Sequence, residues 1–199
     1  MSMSLADQIV HRAKVYTPSV GVWQAEVDLT LEDSAKVPSG RVTLQIRDTK
    51  LVGTVDPVAS GRFGEIARLQ IVGGAGGWAK RISEKAYHND AGVLASTVIV
   101  TTAAEVGEKI GQTSAKRLGV DYVRRGKEGA TAADVLRGES WYVDRAGVTH
   151  VGERPASKLS TDHTVIAWDP LTHAVEIAAD ELLEPGMMLE DARFGTLYV

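Results

Sequence analysis

From Trp23 to Leu31 the chain alternates without a break. Trp23, Ala25, Val27, Leu29 and Leu31 fall on one side, and Gln24, Glu26, Asp28 and Thr30 on the other. A side-chain period of two belongs to extended backbone, so this run predicts a half-buried antiparallel strand. A polar loop through Val37, Pro38, Ser39 and Gly40 ends it. A second alternating strand follows, with Val42, Leu44 and Ile46 on one face. Residues 51–55 and 66–72 predict two more, punctuated by Gly53, Gly61 and Gly64. Residues 20–72 therefore predict a β-meander of about four short strands, closed as a small barrel or stacked as a sandwich. Strand and helix do not alternate here, which argues against a parallel α/β sheet.

The remainder reads as a mixed segment followed by further strands. Residues 1–17 fit either a short helix or a strand, with Ile9, Val10, Ala13 and Val15 as apolar positions. The loop VGGAGGW, residues 72–78, closes the first part, and residues 78–84 fit the start of a short helix. Tyr87, His88, Asn89, Asp90, Ala91 and Gly92 read as a turn, because Asn and Asp side chains bond to nearby backbone. Residues 94–110 pull in two directions. Their β-branched run favours a strand. Yet Ile99, Ala103, Val106 and Ile110 recur at helical spacing, with Glu105 and Glu108 facing away. Burial overrides propensity, so a helix beginning near Leu94 is expected.

Residues 119–129 read as a polar loop around a short strand. Thr131, Ala132, Ala133 and Asp134 have the form of a capping box, opening a two-turn helix that ends at Gly138. Trp141, Val143 and residues 148–151 flank Asp144-Arg145-Ala146-Gly147 as a hairpin. Residues 163–168 and 174–178 flank Asp169-Pro170-Leu171-Thr172 as another, with Pro170 supplying the fixed φ of a type I turn. Leu189 and residues 194–199 supply the last strand or two. The expected class is mainly β (α+β), with small antiparallel β-barrel elements flanking a mixed α/β middle segment. The expected domains are an N-terminal β-barrel over residues 1–85, a middle α/β domain over 86–158 and returning β strands over 159–199. Residues 156–160 are the best linker candidate.

Composition narrows the functional classes. The chain has no cysteine, which excludes disulfides and thiolate metal sites and fits folding in a reducing compartment. No run approaches the ~18–20 apolar residues that span a bilayer. The N-terminus MSMSLADQIVHRAK lacks a basic start and an apolar core, so no secretory signal is expected. The formal net charge is −4. The densest basic cluster, Arg124-Arg125-Gly126-Lys127 beside Glu128, reads as a solvated loop, and no nucleic-acid contact is required. His11, His88, His150, His163 and His173 form no H-E-x-x-H pattern and no i, i+4 pair. A zinc site would therefore have to gather ligands from separate segments. Serines occur without G-x-S-x-G, and no nucleophile has activating neighbours in sequence. Neither catalysis nor a cofactor is expected.

The glycine loop is the sharpest motif. Gly74-Ala75-Gly76-Gly77-Trp78-Ala79 matches G-x-G-x-x-A after a predicted strand. A dinucleotide's pyrophosphate needs such a loop, because bare backbone N–H groups must approach it closely. Three features weigh against a nucleotide-binding enzyme built on residues 73–77. The preceding sheet is a meander, a bulky Trp stands at the helix start, and no second βαβ unit follows. Glycines also suit a chain crossing between packed domains, where backbone passes close to a neighbour. Trp23, Trp141 and Trp168 read as core anchors in strands. Trp78, after flexible glycines, reads as a plug for a domain or subunit interface. Exposed aromatics on a β-sandwich leave a carbohydrate-binding module as a third reading. The candidate assembly residues are Gly73, Gly74, Gly76, Gly77, Trp78, Tyr87 and His88.

Several segments, in this order, resemble the baseplate or tail-tip hub proteins of tailed bacteriophages. They are VWQAEVDL (residues 22–29), GRVTLQI (40–46), LVGTV (51–55), VGGAGGW (72–78), YHNDAGV (87–93) and AAEVGE (103–108). WYVDRAGVTHVGE (141–153) resembles the middle-domain hairpin of such hubs. The segments around EPGMML and RFGTLYV resemble their returning barrel strands. The resemblance implies two small β-barrel elements with a mixed segment between them. It also implies a homotrimeric ring in the virion, joining the tail tube to the spike and other baseplate proteins. This chain stops at Val199, whereas many hubs carry further domains.

Overall fold

The computed structural model describes residues 3–31, 36–126, 129–158, 163–179 and 182–199. The chain forms two compact units, Met1–Glu153 and Arg154–Val199.

The first unit begins with a closed, six-stranded antiparallel β-barrel. Its strands are β1 (Met3–Leu5), β2 (Gln8–Tyr16), β3 (Gln24–Thr30), β4 (Gly40–Ile46), β5 (Thr49–Val55) and β7 (Ile66–Gly73). The short strand β6 (Gly61–Phe63) also pairs with β7. The order is β3-β2-β1-β4-β5-β7, and β7 closes the ring by pairing with β3 from Gln24↔Val72 to Thr30↔Ile66. Closure removes the unpaired edges that an open sheet of this size exposes. Alternation sets the interior. Trp23, Ala25, Val27, Leu29 and Leu31 are all buried, joined by Leu5, Val10, Leu44, Leu51, Leu69 and Ile71.

A smaller mixed layer follows. Strands β8 (Lys85–His88) and β10 (Asp121–Arg124) form an antiparallel ribbon. Between them run helix α1 (Ala95–Val106) and strand β9 (Lys109–Ile110). A 3-10 helix (Ala132–Leu136) precedes the hairpin β11 (Trp141–Val143) and β12 (Val148–Val151), and β9 adds to β12 in parallel. The β-branched stretch of α1 is helical because its apolar stripe has helical spacing. Ala95, Val98, Ile99, Thr102, Ala103 and Val106 are its buried residues, and a strand would turn half of them to water.

The second unit contains β13 (Ser157–Lys158), the hairpin β14 (His163–Asp169) with β15 (Ala174–Ala179), and β16 (Met187–Asp191) with β17 (Gly195–Tyr198). β16 pairs with both β13 and β17.

Several expectations need correction. The meander is part of a larger ring, because residues 3–16 supply two strands, β1 and β2. Trp23 sits just before β3 rather than in it. Residues 78–84 contain no helix. The turn expected over residues 87–92 begins only after β8, so Tyr87 and His88 are strand residues paired with Tyr122 and Asp121. The capping box at Thr131 and Asp134 is present, but it opens a 3-10 helix of five residues instead of two α-turns. α1 stops at Val106, so Glu108 and Ile110 lie beyond it. Lys127, Glu128, Leu159 and Ser160 lie outside the described residues.

Leu69 is fully buried in the barrel and Val58 is in solvent. Leu69→Ala is expected to cost about 2–5 kcal/mol in urea unfolding, and Val58→Ala less than about 0.5 kcal/mol. Equal costs would contradict the assigned interior.

Candidate functional site

The glycine crossing is where the barrel meets the rest of its unit. Trp23 lies across the barrel end with glycines against its ring. Gly53 and Gly73 are register partners on β5 and β7. A methyl group at Gly53 would meet Val72 O at 2.6 Å and Trp23 Cη2 at 2.8 Å. One at Gly73 would meet Trp23 Nε1 at 2.7 Å. Both positions exclude a side chain because the indole already fills that volume. The Trp23 ring N–H donates to the Asp144 carbonyl at 3.2 Å, which ties the plug to the tip of the β11–β12 hairpin. The hairpin docks through backbone as well. Val52 N–H donates to Arg145 O at 2.8 Å, and Gly21 N–H donates to Trp141 O at 2.8 Å.

The loop itself closes around an internal anion. α1 ends in a Schellman turn, with Gly107 left-handed at φ +86° and Glu108 N–H donating to Ala103 O at 2.8 Å. That turn delivers Glu108 to the loop. Its carboxylate accepts from Ala75 N–H at 3.1 Å and from Gly77 N–H at 2.6 Å. The side chain is only 7% exposed. Backbone N–H groups of a glycine loop converging on one anion are the kind of donor set that phosphate-binding loops present to a ligand. Here the chain's own carboxylate fills it. The approach is close on both sides. A methyl group at Gly77 would meet Val106 O at 2.5 Å, and one at Gly74 would meet Glu108 Oε2 at 2.6 Å. Gly74 and Gly76 also hold positive φ, at +76° and +68°, which side-chain-bearing residues rarely adopt.

Trp78 follows, buried, with its ring N–H donating to Thr149 Oγ1 at 2.9 Å and its ring 5.9 Å from that of Trp141. It plugs the junction between loop and hairpin within this unit. Gly73, Gly74, Gly77 and Trp78 are thus buried against their own chain, and Gly76 is half-buried.

Tyr87 and His88 stand apart on β8. Tyr87 Oη lies 2.9 Å from Thr101 Oγ1 on α1. His88 is exposed, with Nδ1 2.7 Å from Asp121 and Nε2 3.2 Å from Asp90. The Asp121 hydrogen bond is the main reason its pKa is raised above the ordinary value. In the same ribbon, Arg124 corrects the solvated-loop expectation. It is 3% exposed, pairs with Glu105 at 2.7 Å and donates to Thr102 Oγ1 and Ser83 O. The Arg124 hydrogen bond holds the Glu105 carboxyl below its ordinary value, helped by Lys85.

Sequence reasoning missed Glu108, Gly53, Asp144 and Arg124. Glu108 carried the one usable signal, a Gly-Glu step just past an apolar helical stripe. Among the described residues no group of three or more His, Asp or Glu side chains is placed to hold a metal ion. No helix among them is long and apolar enough to cross a membrane.

No protein-family model matches the sequence, and no curated protein matches it. Among solved structures the fold is similar to a tail protein from Neisseria meningitidis MC58, with TM-score 0.50 and 13% identity over 98% of this chain and 72% of that one. A 43 kDa tail protein of prophage MuSo2 from Shewanella oneidensis also matches, with TM-score 0.46 and 12% identity over 84% of this chain. This chain spans 60% of the Shewanella protein's length.

Glu108→Ala is expected to lower stability by about 2–3 kcal/mol in denaturant unfolding, because the buried Gly77 N–H and the half-buried Ala75 N–H lose their acceptor. Gly77→Ala is expected to cost about 1–3 kcal/mol by overpacking. No loss in either variant would contradict the lock. The Glu105–Arg124 pair gives a pH signature. A depressed carboxyl pKa stabilises fully above its unfolded value, and that contribution is lost as pH falls through the folded value. Thermal stability is therefore expected to fall below about pH 4.5, the ordinary value. Glu105→Gln is expected to flatten that part of the acid slope. An unchanged slope would remove the pair from the account.

Proposed function

We propose that this chain is a structural component of a phage-type tail, acting as a baseplate or tail-tip hub adaptor between tail tube and spike. The observation that carries the reading is the likeness of fold to the Neisseria tail protein along nearly the whole chain. The barrel adds a physical rationale. A closed sheet with a jammed end is a stiff block, and a stiff block suits a ring whose geometry must be fixed by subunit contacts. On this reading the chain acts as a homotrimer in the virion, touching copies of itself and the tube, spike and baseplate proteins. Gly73, Gly74, Gly76, Gly77 and Trp78 serve assembly indirectly, by holding the hairpin rigid, and Tyr87 and His88 present the β8–β10 ribbon.

The geometry weighs against the nucleotide reading. A phosphate would need the N–H groups of Ala75 and Gly77, and both already donate to Glu108. The chemistry this arrangement supports is mechanical.

Light scattering on the full chain, alone and mixed with the tube and spike proteins of the same tail, tests the proposal. The expected result is a mass three times that of one chain within the mixed particle, with three-fold rings by electron microscopy. A monomer that joins no tail component and binds NAD or ATP saturably would contradict it.

A further inference from the structure

The glycine loop grips its anion at two points. Ala75 N–H donates to Oε2 of Glu108 at 3.1 Å, and Gly77 N–H donates to Oε1 at 2.6 Å. One amide meets each carboxylate oxygen, so a planar acceptor with two oxygens satisfies both donors. The donors are backbone groups. They recognise the carboxylate and not the side chain that carries it. Ala75 and Gly76 are half-buried, so the loop can be reached from solvent.

The space is cut to that group. A methyl group at Gly74 would lie 2.6 Å from Oε2 and 3.4 Å from the carboxyl carbon. One at Gly77 would lie 3.0 Å from Glu108 Cγ and 2.5 Å from Val106 O. Backbone therefore presses on the carboxylate, and part of the wall is a carbonyl oxygen, which repels any further anionic oxygen. A phosphate-binding loop sets a lysine beside its amides. Here Lys80 Nζ donates to Val106 O at 3.2 Å, at the end of α1. A tetrahedral phosphate would bring extra oxygens and extra charge to a place built for neither.

We propose that residues 75–77 form a carboxylate-selective binding site that Glu108 holds shut from within, and that takes a free carboxylate once the glutamate side chain is shortened. The inference rests on the loop geometry and is independent of tail assembly.

The length of the missing piece sets the ligand. Glu108→Ala removes Cγ and the carboxyl group, which together match acetate. Glu108→Gly removes Cβ as well, and the missing piece then matches propionate.

The test is thermal unfolding of the full chain and both variants in acetate, propionate, phosphate and chloride at equal ionic strength. Each Tm is read as the difference from the unaltered protein in the same salt, which removes general salt effects. Glu108→Ala is expected to regain at least about 3 °C in ~200 mM acetate relative to chloride, because a ligand that binds only the folded state stabilises it. Propionate should restore less in this variant. Glu108→Gly should reverse that order, and phosphate should restore neither variant beyond chloride. In NMR spectra of Glu108→Ala, the Ala75 and Gly77 amide signals should shift saturably with acetate. If a variant is unfolded in chloride, recovery of its far-UV circular dichroism is read instead, with the same order of salts. Equal recovery in every salt, no recovery in either carboxylate, the same carboxylate preference in both variants, or recovery by phosphate would overturn the proposal. So would a saturable acetate shift at the same amides in the unaltered protein, where the site should be closed.

Discussion

The Glu108 carboxylate lies where a phosphate would sit in a nucleotide-binding loop, and the first unit is organised around that substitution. A left-handed glycine ends α1, turns the chain and presents Glu108 to two loop amides. The same loop begins at Gly73, which backs the Trp23 ring, and ends at Trp78, which packs on the β11–β12 hairpin. Barrel, helix and hairpin meet within about six residues of backbone. Each partner is close enough that an added methyl group would collide. Charge-assisted hydrogen bonds in a dry site are individually strong and costly to leave unmade. The junction therefore behaves as one element instead of as a hinge.

That arrangement explains how a motif that resembles a ligand site functions without a ligand. Backbone amides converge wherever glycines let the chain curl, and they require an anion. Whether the anion arrives from solution or from the same chain is decided by a residue far away in sequence. Position 108 makes the choice here, thirty-one residues after Gly77. The result is a junction cross-tied by hydrogen bonds and close backbone contacts.

The strands were legible because alternation is a local property. Trp23, Ala25, Val27, Leu29 and Leu31, and likewise Val42 and Leu44, point inward as their spacing requires. α1 was legible once its buried stripe was weighed against its β-branched composition. Three things were not. Residues 1–17 carry too few apolar positions to distinguish helix from strand, and only pairing with β3 and β4 decides them. Glu108 looked like a solvent-facing helical residue because the stripe continues in sequence to Ile110, whereas the helix ends at Gly107, one residue after Val106. Arg124 looked solvated beside its basic neighbours, and its burial depends on Glu105 and Thr102, which lie on another element. Local pattern gives faces. Cross-chain partners give sites.

The most direct measurement is hydrogen exchange at the amides of Ala75 and Gly77, read by NMR on the intact chain. Loop amides normally exchange within the fast regime of local opening. If Glu108 closes the loop, both should exchange as slowly as the amides of β7, and Glu108→Gln should release them while β7 stays protected. Fast exchange at both amides in the unaltered protein would mean that the loop is open and the lock absent.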